Sequence, residues 1–249
     1  MSESARARRA SEVAEAVRAQ RERLERACRA AGRSPEAVAL LPVTKYFPAS
    51  DAHILYTLGF RDFGESRVQE AAAKVADFRG LESNAAVRWH MIGQLQRNKA
   101  NAVARWAAAV HSVDNSKLIA GLARGVATAR DRGERATDAD LAVYLQVSLD
   151  GDTQRGGAAE PELDALGAAV AEADGLALAG LMAVPPLGAD PERSFARLHE
   201  IHVEFLRSFP RATQLSAGMS GDMEVAVRHG STCVRVGTAL LGLRTITSP

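Results

Sequence analysis

The residues most able to do chemistry in this 249-residue chain are a lysine, an arginine and two turns rich in glycine and hydroxyls. Lys45 closes an apolar run over residues 38–45. Burial at the end of such a run disfavours the charged amine and makes it a nucleophile toward carbonyls, whereas a solvated strand end would leave it an ordinary lysine. Residues 215–222 read Leu-Ser-Ala-Gly-Met-Ser-Gly-Asp, a strand passing into a helix start. Such a turn offers free backbone N–H groups to an anion, although Ser220 followed by Asp222 also fits a plain helix cap. Gly237 and Thr238 form a second turn of the same kind. Arg235 sits in the apolar run Cys233-Val234-Arg235-Val236, where it needs either a carboxylate partner or a ligand.

The elements that must carry these residues alternate between strand and helix. Apolar runs at 38–45, 60–65, 88–95, 108–113, 141–149, 176–184, 213–216 and 232–238 read as buried strands, and amphipathic segments separate them. The helices are expected at 50–59, 67–78, 96–106, 115–132, 160–173, 191–209 and 221–229, with Ser50 or Asp51 and Asn115 or Ser116 as caps. An additional helix over 10–31 precedes them, with Val13, Val17, Leu24 and Cys28 on one face, and residues 1–9 are expected to be unordered. About eight repeats of strand and helix, with no linker between them, predict one α/β domain over 1–249, a single (β/α)8 TIM-type barrel with an extra N-terminal helix. Chemistry in such a barrel belongs at the C-terminal strand ends. That rule selects Lys45, Glu65 and Ser66, Gln94 and Gln96, Ser148, Met182 and Ala183, Ser216, Gly218, Met219 and Ser220, and Arg235, Gly237 and Thr238.

A net charge of +1, from 31 basic against 30 acidic residues, argues against a nucleic-acid or membrane-surface protein. The longest apolar stretch, 176–187, falls short of the roughly 20 residues a bilayer crossing needs. With no secretory pattern and two distant cysteines, Cys28 and Cys233, a cytoplasmic protein is expected. His199 and His202 share a helix face but lack partners for a metal, so no metal site is expected. His90 reads as a hydrogen-bonded structural histidine.

A lysine nucleophile facing a phosphate cradle suits two ligand classes. One is a sugar phosphate with a carbonyl, as in an aldolase; the other is pyridoxal 5′-phosphate (PLP), whose aldehyde forms a Schiff base with lysine. Spacing alone leaves both open.

Longer motifs resemble one family. LPVTK at 41–45, FGESRVQE at 63–70, WHMIGQLQRNK at 89–99, GLMAVP at 180–185, LSAGMSGDM at 215–223 and GSTCVRVGTA at 230–239 occur in order, and together resemble the pyridoxal-phosphate homeostasis proteins (YggS/PROSC type). The resemblance implies a fold like the barrel domain of alanine racemase, that is, a fold-type III PLP protein. It implies that Lys45 carries PLP as a Schiff base and that Ser216 with the backbone of Gly237 and Thr238 holds the phosphate. Arg235 would face the pyridine nitrogen, with Ser66 and Met219 among the other cofactor contacts. Ser66 stands where the family commonly has Asn, Ser148 also where many relatives have Asn, and Arg155 where many have Lys. The chain runs only a few residues past Gly242, so the second domain of a racemase, with its opposing base, is not expected. The implied function is a non-catalytic, monomeric PLP carrier in vitamin B6 homeostasis, with PLP-dependent apo-enzymes as recipients. The alternative is a PLP enzyme with weak racemase or lyase activity on amino acids.

Overall fold

A computed structural model describes residues 2–243. Its strands are β1 (Ala39–Pro42), β2 (Asp62–Glu65), β3 (Arg88–Met91), β4 (Ala107–Val113), β5 (Leu141–Gln146), β6 (Leu176–Met182), β7 (Gln214–Ser216) and β8 (Cys233–Val236). All the pairings are parallel, in the order β1-β8-β7-β6-β5-β4-β3-β2. A parallel bridge between Val43 and Gly64 closes the sheet on itself, so the expected barrel is present.

The helices are α1 (Glu3–Ala30), α2 (Ala49–Thr57), α3 (Val68–Leu81), α4 (Ala100–Ala104), α5 (Ser116–Asp131), α6 (Leu163–Glu172), α7 (Pro191–Ser208), α8 (Met223–Arg228) and α9 (Thr238–Leu241). Among the described residues no helix is long and apolar enough to cross a membrane. Asn115 caps α5 as expected, its side chain accepting from the Leu118 N–H.

Strand alternation divides the side chains between two environments. Phe63, Trp89 and Val234 point outward and pack with Val13, Val17, Leu55, Phe78 and Val227 of the helices. Phe78 and Trp89 meet edge to face with ring centres 5.6 Å apart. Across the barrel Val110, Leu145 and Leu181 pack with Leu122, Val170, Phe195 and Phe205. Each such large side chain contributes about 1.5–3 kcal/mol by leaving water. The inward face is different. Barrel interiors are usually filled with branched apolar residues. Here Asp62, His90, His111, Tyr144, Ser216 and Arg235 share the interior with Ala109 and Met182.

The N-terminus departs from expectation. Residues 3–9 are helical rather than unordered, and α1 begins seven residues before position 10. The Ser2 hydroxyl caps it by accepting from the Ala5 N–H. Arg9 then bonds the buried Asp51 carboxylate at 2.6 Å and the Leu241 carbonyl at 2.9 Å. The sequence offers Asp51 as a helix cap, but Pro48 occupies the cap position of α2, and Asp51 instead ties α2 to α1.

Candidate functional site

Lys45 stands three residues beyond β1, half-buried at the C-terminal mouth of the barrel. Both peptide groups flanking it are gripped by α3. The Lys74 ammonium donates to the Thr44 carbonyl at 2.7 Å, and the Glu70 carboxylate accepts from the Tyr46 N–H at 2.5 Å. Tyr46 has φ = 70°, a left-handed conformation unusual for an aromatic residue, so the turn after Lys45 is held under strain. Below it, the fully buried Glu65 carboxylate accepts from Lys74 and from the Thr44 hydroxyl, each at 2.5 Å. Burial raises the Glu65 pKa, against the opposing pull of the Lys74 charge and its hydrogen bond. Its other oxygen, Oε2, has no partner among the described residues.

Arg235 is buried in the barrel at 5% exposure, yet no carboxylate lies within ion-pair distance of it among the described residues. Of the two sequence readings, ion pair or ligand contact, the geometry favours the second. One terminal nitrogen donates to both the carbonyl and the hydroxyl of Ser216 at 2.7 Å, and the other donates to the Ala183 carbonyl at 3.0 Å. A guanidinium has five N–H groups, so two of them meet no acceptor among the described residues. Burial pulls the Arg235 pKa down, the nearby Cys233 and Asp222 opposing, but an arginine stays charged. A buried cation with two donors to spare fits a ligand carrying a hydrogen-bond acceptor, such as a ring nitrogen.

The two turns lie beside it. Gly237 packs against the chain just beyond β1: an added Cβ would stand 3.4 Å from Val43, at ordinary van der Waals distance. Thr238 opens α9 and is exposed, and its N–H is one that a helix start leaves without an intrahelical partner. Met219 is exposed at the end of the other turn, where its N–H donates to Asp222 at 2.5 Å. Gly218 turns that corner at φ = +92°, and its carbonyl accepts from the Arg235 N–H at 3.0 Å. Beside Met219 and Asp222 a cavity of about 400 Å³ also reaches Ser148, Arg155 and Val184.

Not every expected contact is at the mouth. Ser216 is fully buried, and its hydroxyl is already engaged by Arg235 and, at 2.8 Å, by Nδ1 of His111. The hydroxyl supports Arg235 from below. Ser66 is half-buried just after β2, and its carbonyl lies 2.3 Å from where a Cβ would stand on Gly93. Sequence reasoning missed His111, Asp62 and Lys74. His111 shares the inward parity of Ala109 in β4, and that alternation was the available signal.

Comparison with known proteins agrees with this fold. The family described as "Alanine racemase, N-terminal domain" matches residues 17–245. A Mycobacterium bovis protein named pyridoxal phosphate homeostasis protein is 51% identical over 253 residues, covering 97% of this chain and 96% of its own length. The chain belongs to the pyridoxal phosphate homeostasis protein family. The solved structure of PipY from Synechococcus elongatus, with PLP bound, superposes with a TM-score of 0.77 at 33% identity, over 92% of this chain and all of PipY. Alanine racemase from Corynebacterium glutamicum, 15% identical, shares the fold with a TM-score of 0.65, over 96% of this chain and 62% of the racemase. The homeostasis family thus carries the racemase's barrel, as its motifs imply.

Proposed function

We propose that this chain binds PLP through a Schiff base on Lys45 and acts in intracellular PLP homeostasis as a carrier without dedicated catalysis. The observation that carries the reading is Arg235, a buried cation with spare donors and no carboxylate partner among the described residues. The name shared by its relatives and the PLP bound in PipY support it.

In this reading Lys45 would hold PLP through a Schiff base to its aldehyde. PLP supplies an electron-accepting ring next to the bound amine. Arg235 would face the ring nitrogen and, as a cation that keeps its proton, would disfavour protonation there, leaving the ring a weaker electron sink than one paired with a carboxylate. The backbone at Gly237 and Thr238 and the turn at Met219 would hold the phosphate, and Ser66 would border the ring. Ser216 contributes through Arg235. The protein works as a cytoplasmic monomer that hands PLP to apo-enzymes.

Two measurements separate carrier from enzyme. PLP-loaded protein mixed with a PLP-requiring apo-enzyme is expected to restore its activity, and the loaded protein alone is expected to turn over no amino acid above a Lys45→Ala control. Racemisation or elimination that depends on Lys45 would favour the enzyme reading.

A further inference from the structure

We propose that Asp62, His90, His111 and Ser216 form a one-way hydrogen-bond chain that climbs the barrel from its floor to just beneath its mouth and positions Arg235. The links are short and continuous. Asp62 Oδ1 lies 2.9 Å from His90 Nε2, His90 Nδ1 lies 2.9 Å from His111 Nε2, and His111 Nδ1 lies 2.8 Å from the Ser216 hydroxyl. Arg235 donates to that hydroxyl at 2.7 Å.

The two ends set the direction. A guanidinium only donates, and an ionised carboxylate only accepts. The Ser216 oxygen receives an Arg235 N–H, and its own proton is then free to go to His111 Nδ1. His111 must therefore carry its proton on Nε2 and donate to His90 Nδ1. His90 in turn donates from Nε2 to Asp62. Every member is satisfied with both imidazoles neutral. In the reverse order His111 and Arg235 would both donate to Ser216, and the Ser216 proton would have only the Cys233 sulfur beside it, a weak acceptor.

The surroundings favour the same assignment. His111 is fully buried, and that burial, with the Arg235 charge beside it, holds its pKa well below the usual imidazole range. Tyr144 stacks on it at 4.1 Å. At the floor Arg88 grips Asp62 with two bonds of 2.7 Å. Burial alone would raise the Asp62 pKa, but the hydrogen bonds from His90 and Arg88 hold the carboxyl well below the usual carboxylate range. A buried polar network with every member paired is rigid, and removing one member leaves its neighbours unsatisfied. The acceptor end is reachable, because a floor cavity of about 470 Å³ is bordered by Asp62, Arg88, His90, Tyr144 and Gln214. Asp62 and His90 thus act on the mouth from the opposite end of the barrel, as positioning residues for Arg235. Their effect on a bound ring rests on the proposed PLP site; the direction of the chain does not.

Nitrogen-15 NMR of histidine-labelled full-length protein at neutral pH, without cofactor, reads the chain directly. His90 and His111 are expected to be neutral, with the proton on Nε2 in both. Asp62→Ala is expected to move the His111 signals, two links from the substitution. A proton on His111 Nδ1, a doubly protonated ring, or His111 signals unmoved in Asp62→Ala would overturn the proposal. If Asp62→Ala does not fold, the wild-type proton positions decide. On adding PLP, Asp62→Ala is expected to bind several-fold more weakly than wild type and with a displaced absorption band. Identical binding and an identical band would overturn the positioning role. Failure of wild type to bind PLP at all would instead count against the proposed function and leave the chain's direction standing on the NMR result.

Discussion

Arg235 and Ser216 are joined twice, one guanidinium nitrogen donating to both the carbonyl and the hydroxyl of Ser216 at 2.7 Å. The pair comes from neighbouring parallel strands, with Ser216 beside Cys233 in the register, which puts Arg235 one inward position higher. This stacking replaces the apolar filling of an ordinary barrel with a buried cation supported from below. A cation in that position is costly unless its hydrogen bonds are made, and three of them are made by protein oxygens.

Removing the cation should therefore cost stability as well as binding. Arg235→Met strips donors from the Ser216 carbonyl, the Ser216 hydroxyl and the Ala183 carbonyl. We expect a loss of about 2–4 kcal/mol, read by urea unfolding, and weaker PLP binding. Arg235→Lys keeps the charge but lacks the planar fork, so it should recover only part of both.

The support beneath Lys45 makes a separate prediction. Lys74 is the cation for the fully buried Glu65. Lys74→Met should destabilise the fold by about 3–5 kcal/mol, because it leaves a buried charge uncompensated. Adding Glu65→Gln removes that charge and should restore a large share of the loss in the same unfolding assay. Equal losses in the single and double variants would show that the ion pair is not the cause.

His111 gives the acid limb of the stability curve a specific contributor. The folded ring stays neutral well below its ordinary pKa of 6.5, and the unfolded ring takes up a proton there. Below about pH 6.5 the unfolded state then binds more protons, so stability should fall as the pH drops, by up to about 1.4 kcal/mol per unit for this one group. His111→Gln should flatten that slope. Unfolding midpoints measured from pH 7 to pH 5 test it.

Gly93 is fixed by close approach. A Cβ there would stand 2.3 Å from the Ser66 carbonyl oxygen, with Ser66 Cα at 2.8 Å. Because the obstacle is backbone and not a flexible side chain, Gly93→Ala should cost about 2–3 kcal/mol and displace the turn that carries Ser66. Thermal unfolding and PLP titration read the two effects separately.

The barrel is legible because eight apolar runs alternate with amphipathic segments, and the strand-end rule then places Lys45, Arg235, Gly237 and Thr238 at one mouth. What stayed hidden depends on contacts between distant segments. Glu65 and Lys74 are nine positions apart across a strand, a turn and a helix, and no periodicity joins them. In the sequence His111 is one polar residue in an apolar run, because its partners His90 and Ser216 come from β3 and β7. Residues 3–9 lack an apolar face, and their helix is anchored at Arg9 by Asp51, 42 positions away. Ser216 was placed at the right strand end, but its inward parity puts it under Arg235.

The visible absorption spectrum of PLP-treated protein, before and after borohydride and beside Lys45→Ala, tests the central claim most directly. A yellow band in the wild type, absent from Lys45→Ala, with borohydride fixing the cofactor to the peptide that contains Lys45, is the expected result. A protein that stays colourless with PLP, or a band that persists in Lys45→Ala with the label on another lysine, would contradict it.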